Sequence, residues 1–334
     1  MPSYTRGCSC TPYLLKNKVE FEDIKEKFHN NIFTEREMKH DKDINQGFSS
    51  LYTEKEIEEL KVEPTRIFSI IDEEGEKIAD IMPVGYIFQK GVMDRARTHY
   101  DFLIMNKKNK TYILFSGVED HHLSRFETHV MNKYFQDIPF IRLPKKFQLS
   151  DEFVLWMLSM IFSNKFEFLD DKYHIHQLLQ LKTHERSNAV QCIGETIQNM
   201  IEVSTTILKG SKIDFIEYVF HNNLRYNLKM NSSGSIEVNK IDRNRKPYKK
   251  RPLIEVKSII LYQQLFDIIP QWKHKFNTES EIWKLEKDKL LFHTLQSILR
   301  FLKQGITNNE SNHIISGKYQ KIVANIEKLE SLLN

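Results

Sequence analysis

The sequence has few of the residues that define several large classes of protein. Only three of its 334 residues are cysteines, too few for the disulfide framework of a small secreted protein. Glycine and proline are also scarce, with 11 and 9 residues. The longest apolar run, Phe153 to Phe162, is shorter than the roughly 20 residues that a membrane-spanning helix needs. We therefore expect a cytoplasmic protein that does not span a membrane.

The charge is nearly balanced, and the composition is that of a folded protein. Hydrophobic residues make up 40% and charged residues 28%, which excludes wholesale disorder. The net charge of +4 comes from 49 basic and 45 acidic residues, so the bulk charge does not by itself indicate a nucleic-acid partner. Only local clustering of cations can do so. The length of 334 residues favours two domains.

The pattern of residues 65–145 predicts a small sheet crossed by a helix. Two apolar segments on either side of the acidic turn at 72–75 predict a hairpin over residues 67–81. A second hairpin is predicted over residues 101–116. A polar helix from about Asp120 to Phe135 then leads into a short strand at 138–143.

From Ser150 onward the pattern is mainly helical. It predicts helices from Asp151 through Leu178 to about Leu208, a third hairpin over 224–241, and two antiparallel helices after Pro270. We expect an α+β fold with an N-terminal domain at 1–149, formed by the small sheet and its crossing helix. A helix-rich C-terminal domain at 150–334 is expected to carry a β insert at 224–258.

One short stretch combines carboxylates, an ammonium group and a dense basic segment. Asp242 precedes Glu255-Val256-Lys257 by thirteen positions. On a strand, Glu255 and Lys257 project to the same face, and Asp242 would end the neighbouring strand. This arrangement resembles the core motif of the PD-(D/E)xK nuclease superfamily. The resemblance implies that Asp242 and Glu255 bind Mg²⁺ or Mn²⁺ and that Lys257 is the catalytic lysine. The alternative is that Glu255 and Lys257 face solvent on an edge strand.

The segment between these residues is strongly basic. It holds six cations within nine residues, and Tyr248 lies among them: Arg243, Arg245, Lys246, Lys249, Lys250 and Arg251. Such a cluster is typical of a surface that contacts a phosphate backbone, and the tyrosine is suited to stacking on a base. The alternative is a solvated connection between two strands.

Two functional hypotheses follow from the sequence. The first is a protein that binds DNA or RNA and is a candidate metal-dependent nuclease. The second is a non-catalytic subunit of a multiprotein complex, or a homo-oligomer, whose C-terminal helices make the protein contacts.

Overall fold

A computed structural model of the chain describes residues 8–29, 32–33, 46–89, 97–117, 120–143, 150–162, 174–185, 188–193, 212–221, 224–232, 234–242, 248–309, 324–325 and 328. It has an α+β fold, as the sequence predicted. Contacts between Cα atoms divide the chain into two compact units. The first unit comprises residues 1–148 and 226–269, and the second comprises 149–225 and 270–334.

The elements are as follows. The strands are β1 (Cys8–Leu15), β2 (Ile32–Phe33), β3 (Gln46–Ser50), β4 (Phe68–Ile71), β5 (Lys77–Gln89), β6 (Arg97–Lys107), β7 (Lys110–Phe115), β8 (Phe140–Arg142), β9 (His174–Glu185), β10 (Asn188–Ile193), β11 (Lys212–His221), β12 (Arg225–Asn231) and β13 (Ile236–Asp242). The helices are α1 (Phe21–His29), α2 (Glu54–Leu60), α3 (Asp120–Phe126), α4 (Asn132–Tyr134), α5 (Asp151–Phe162), α6 (Leu253–Tyr262), α7 (Ile269–Thr278) and α8 (Ser280–Asn309). Two π-helical segments, Glu127–Met131 and Gln263–Ile268, continue α3 and α6.

The first unit is built on a mainly antiparallel sheet. Its strand order is β12-β13-β1-β7-β6-β5-β3-β2, with β4 paired to β5 and β8 paired to β1. The predicted hairpins at 67–81 and 101–116 are β4–β5 and β6–β7, and both are confirmed. Gly75 has φ +85° in the β4–β5 turn, a left-handed conformation that glycine adopts without a steric penalty.

The third predicted hairpin, β12–β13, belongs to this same sheet. Val238 and Ile236 of β13 pair with Cys8 and Cys10 of β1, whose following residues pair with β7. Residues 226–269 therefore group with the first unit, whereas the sequence had led us to expect the insert at 224–258 in the C-terminal domain. The physical reason is that β1 offers backbone groups to both halves of the sheet, so a hairpin distant in sequence completes it.

The core of the first unit lies between this sheet and the helical segment after β7. Phe126 of α3 stacks on Phe115 of β7 with ring centroids 4.1 Å apart, and it also contacts Tyr13 and Phe102. All four side chains are buried. This packing confirms the predicted helix that crosses the small sheet.

The second unit contains strands where the sequence had predicted helix. β9 pairs with β10 and β11, so the helical prediction through Leu178 and Ala189 is wrong. Ile175, Leu178 and Leu181 face Phe220, Tyr218 and Ile216 of β11. These β9 residues are three positions apart and their partners two apart, because β9 carries an extra residue at each of two β-bulges. The part of the predicted helix beyond Ile193, from residue 194 to 208, lies outside the described residues.

The other predicted helices of the second unit are present over the residues that the structure describes. α5 begins at Asp151, and α8 extends over 30 residues. Glu152 of α5 accepts hydrogen bonds from Trp283 Nε1 at 3.1 Å and Lys287 Nζ at 2.6 Å, which join α5 to α8. The last predicted helix, after residue 312, falls almost wholly outside the described residues. Within the described part of the chain, no helix has the length and apolarity needed to cross a bilayer.

Candidate functional site

The segment that carries Glu255 and Lys257 is a buried helix. α6 spans Leu253–Tyr262, and every residue from Ile254 to Tyr262 is buried. Its sequence is rich in β-branched residues, which favour strands, yet a short apolar run is compatible with either structure. Ser258 Oγ donates to the carbonyl of Ile254 at 2.7 Å, a bond to the preceding turn that only a helix allows.

The helical geometry separates the two residues that the nuclease motif requires side by side. Positions two apart on a helix differ by about 200° around the axis, so Glu255 and Lys257 do not project to the same face. The prediction of a strand is therefore wrong, and so is its solvent-facing alternative, because the two residues are only 1% and 5% exposed. Asp242 ends β13 and is exposed. Among the described residues, the charged groups that shift the pKa of Glu255 are Arg66, Arg251 and Glu56, not Asp242.

Glu255 instead contacts residues from the loop between α2 and β4 and from the loop before α2. Its Oε1 accepts a hydrogen bond from Tyr52 Oη at 3.3 Å and lies 3.4 Å from Arg66 Nε. Burial raises the pKa of Glu255 above its usual value, while Arg66, Arg251 and the Tyr52 hydrogen bond oppose that shift. Burial, followed by the Glu255 charge, also raises the pKa of Tyr52, so its hydroxyl keeps its proton and acts as the donor. The contacts use only Oε1, and Oε2 has no hydrogen bond to any described residue.

Glu56 of α2 fixes the start of α6. Its Oε1 accepts the backbone N–H of Leu253 at 2.7 Å, and its Oε2 accepts from the backbone N and Oγ1 of Thr53. The bond from the Thr53 backbone N–H, together with the bond that the Glu56 backbone N–H donates to Thr53 Oγ1 at 3.2 Å, forms a capping box at the start of α2. One carboxylate therefore satisfies unpaired N–H groups at two helix N-termini, and it ties residues 53–56 to the first turn of α6.

The last part of the basic segment forms an ordered turn ahead of α6. Tyr248–Lys250 is a 3₁₀ helix, and the backbone N–H of Arg251 donates to the carbonyl of Tyr248 at 3.1 Å. We call residues 248–251 the basic turn. Lys249 and Lys250 are exposed, and neither forms an ion pair with a described residue. Arg243, Arg245 and Lys246 lie outside the described residues.

A cavity of about 380 Å³ lies beside the basic turn, within the first unit. We call it the α6 cavity. Its lining combines polar and charged residues with apolar ones. The polar and charged lining residues are Arg66, Ser69, Lys250, Arg251 and Glu255. The apolar lining residues are Leu60, Val62, Ile67, Phe68, Ile71 and Pro252.

The donor set around Glu255 does not fit a divalent metal. Mg²⁺ prefers several oxygen ligands, and the expected pair was Asp242 with Glu255. Within the described ranges, no group of three or more His, Cys, Asp or Glu side chains is placed to hold a metal ion. The neighbours of Glu255 include two arginines, which would repel a cation. We therefore derive no metal-dependent step at this position.

Sequence analysis missed Tyr52, Glu56 and Arg66. These residues contact the start of α6, although they lie about 190 to 200 positions before it in the chain. The Thr53-x-x-Glu56 capping box was visible as the start of a helix, but nothing in the sequence linked it to Leu253. The chain matches no protein-family model, and no curated protein is significantly similar to it.

Proposed function

We propose that this protein binds nucleic acid through the basic segment 243–251, and that the basic turn is the described part of its binding surface. The observation that carries the proposal is the arrangement of Lys249 and Lys250. Both ammonium groups are exposed on a hydrogen-bonded turn, and no described carboxylate pairs with them. Such lysines attract the phosphates of a nucleic acid, and their binding releases the counterions condensed around it.

The basic turn has a fixed position because it leads directly into α6. Pro252 is buried between them, and the first N–H of α6 is held by Glu56. The side chain of Arg66, which is 45% exposed, adds a further cation at the neighbouring cavity. An ordered set of cations loses less conformational entropy on binding than a flexible one. Tyr248 is half-buried in this turn, and in this proposal its ring supports a base.

The test replaces all six cations of the basic segment with serine and measures affinity for single-stranded DNA, duplex DNA and RNA over a range of salt concentrations. We expect weaker binding and a shallower dependence on salt. Each lost phosphate contact reduces the magnitude of the negative slope of log K against log salt by about 0.7 for single strands. Unchanged affinity at low salt would refute the proposal.

A matched pair of double variants separates a local effect from net charge. Lys249→Ser with Lys250→Ser removes two cations from the basic turn. Lys108→Ser with Lys110→Ser removes two exposed cations from the β6–β7 turn of the same unit. Only the first variant is expected to weaken binding. Equal weakening in both variants would show that binding depends on the overall charge of the protein and not on a defined surface.

Metal-dependent cleavage is a separate hypothesis that rests on the sequence motif alone, because α6 does not bring Glu255 and Lys257 to the same face. It is tested by incubating labelled DNA and RNA with the protein and Mg²⁺ or Mn²⁺, with Glu255→Ala and Lys257→Ala as comparisons. Because both residues are buried, each variant is first checked for its folded state by circular dichroism. We further propose a cytoplasmic location, where Cys10, a buried free thiol, stays reduced.

A second candidate function is a protein contact made by α8. Ile282 and Leu285 of this helix are 59% and 68% exposed, and residues three apart lie next to each other on a helix surface. Burial of this pair against a second protein or a second copy of the chain would remove apolar surface from water. Light scattering of the wild type and of Ile282→Ser with Leu285→Ser tests self-association. A monomeric wild type would refute the homo-oligomer.

A further inference from the structure

The α6 cavity combines three features that together define its ligand. Its volume of about 380 Å³ lies within the range of about 300–1,000 Å³ that is typical of small-ligand sites. Both cations and apolar side chains line it. It also contains one buried carboxylate, Glu255. A ligand that fits must therefore combine negative charge, apolar surface and hydrogen-bond donors.

Two of the apolar residues that line the cavity are exposed to solvent. Leu60 and Ile71 are 40% and 58% exposed, and they are among the few large hydrophobic residues with such exposure in the described part of the chain. Phe68, which is buried, and Ile67, which is half-buried, also line the cavity. Exposed apolar residues that line a cavity provide surface that a ligand can cover. An aromatic ring has apolar faces that these side chains can cover.

Among the polar residues that line the cavity, a donor lies next to an acceptor. Arg66 and Glu255 lie 3.4 Å apart, so a guanidinium and a carboxylate line the same space. Glu255 Oε2 accepts no hydrogen bond from a described residue, so its lone pairs can accept from a ligand. Lys250 and Arg251 add cations at the same cavity, next to the proposed backbone-binding surface.

We propose that the α6 cavity binds one unstacked guanine base of a single strand held on the basic turn. The base lies against Ile67, Phe68 and Ile71, and its flanking phosphate contacts Lys250 and Arg251. The two adjacent N–H groups of guanine donate to Glu255, while its O6 accepts from Arg66. This inference rests on the proposed function and adds to it a base preference.

Guanine fits this edge better than the other bases. It alone has two neighbouring N–H donors, on N1 and on the exocyclic nitrogen, followed by a carbonyl acceptor. In adenine and cytosine a ring-nitrogen acceptor is next to the amino group, and its lone pair would be repelled by the carboxylate. Thymine and uracil have one donor between two carbonyl acceptors, so only one hydrogen bond to Glu255 is possible.

The test uses a short oligo(dT) with no substitution or with a single central dG, dC or dA, a design that avoids the self-association of guanine-rich strands. Affinities are measured by fluorescence anisotropy at low salt, and the measured quantity is the ratio Kd(all-dT)/Kd(dG). We expect a wild-type ratio of about ten, since a bidentate base contact contributes that order of discrimination. The ratio is expected to fall to about one in Glu255→Gln, because an amide replaces the acceptor-only carboxylate.

Two further variants keep the test decisive if Glu255→Gln does not fold. Ile71→Ser changes an exposed residue at the cavity and is expected to lower the ratio to about three by removing apolar contact with the base. Glu58→Gln changes an exposed carboxylate of α2 that does not line the cavity, and its ratio should equal that of the wild type.

The outcomes separate this inference from the proposed function. Equal wild-type affinity for all four oligonucleotides would overturn the guanine site and leave nucleic-acid binding standing. Lack of binding to any of them at low salt would overturn both. A dG preference that persists in folded Glu255→Gln would overturn the role of Glu255. Guanosine monophosphate is titrated as well: if it bound as tightly as the dG oligonucleotide, the ligand would be a free nucleotide and not a strand.

Discussion

Glu56 offers the most direct test of how the candidate site is held together. Its carboxylate accepts the N–H of Leu253 at the start of α6 and two groups of Thr53 at the start of α2. Replacing Glu56 with alanine removes both sets at once. The basic turn and the first turn of α6 would then lose the connection to α2 that Glu56 provides.

The expected loss can be worked out from these contacts. A hydrogen bond to a charged acceptor contributes about 1.5–3 kcal/mol, and loss of an N-cap interaction costs about 1 kcal/mol. Glu56 is only half-buried and Thr53 is exposed, so we take the lower part of this range. We expect Glu56→Ala to lower the local stability of the first turn of α6 by about 2 kcal/mol. That value corresponds to roughly 30-fold faster amide exchange in this turn.

Hydrogen exchange with peptide resolution is the appropriate assay. All three tryptophans, Trp156, Trp272 and Trp283, are in the second unit, so tryptophan fluorescence does not directly probe this site. Glu56→Gln retains one carbonyl oxygen and should give an intermediate effect. Glu58→Ala is the control, because it makes the same change on the same helix at an exposed residue without a described partner. Equal exchange rates at Leu253–Tyr262 in the Glu56→Ala and Glu58→Ala variants would refute the role of Glu56.

Three further predictions concern pH and backbone conformation. Because burial raises the pKa of Glu255 above 4.5, the folded protein holds this proton more tightly than the unfolded chain does, and stability should fall as pH rises from 4.5 to the raised pKa. Urea titrations at several pH values should show this decline in the wild type and not in Glu255→Gln. The Lys287 hydrogen bond lowers the pKa of Glu152, so Glu152→Gln should lower stability at neutral pH by about 0.5 kcal/mol. Unfolding followed by Trp283 fluorescence should show that this difference disappears as pH falls through the lowered pKa of Glu152. Lys108 has φ +53° in the β6–β7 turn, and Lys108→Gly should raise the free energy of unfolding by about 0.5–1 kcal/mol in urea; an unchanged or lower value would contradict the strain argument.

The sequence predicted those elements whose signals are local. The hairpins β4–β5 and β12–β13 combine apolar strands with turns that contain Gly75 and Gly234, both at positive φ. β9 was mispredicted for a physical reason. Its bulges place Ile175, Leu178 and Leu181 on the buried face at intervals of three, which imitates the period of a helix. A bulge depends on the partner strand, and the partner is not visible in a local window.

The candidate site was only partly predictable, because its parts come from distant positions. The cations of the basic turn were recognised from their density in sequence. α6 was mispredicted because burial on all sides removes the amphipathic pattern that distinguishes helix from strand. The contacts of Glu255 with Tyr52 and Arg66 depend on the tertiary fold alone.

The order of residues in the first unit determines how the protein can be made and divided. β1 requires β13 as a partner, and β13 is synthesised more than 220 residues later. Until then, the backbone groups of Cys8–Cys10 that face β13 have no strand to pair with, and such an edge can recruit other chains. A fragment that stops at residue 149 would keep this edge open and would also lack α6 and the basic turn. A shortened chain for studying nucleic-acid binding therefore has to extend through residue 269, and it necessarily carries residues 149–225 of the second unit along with it.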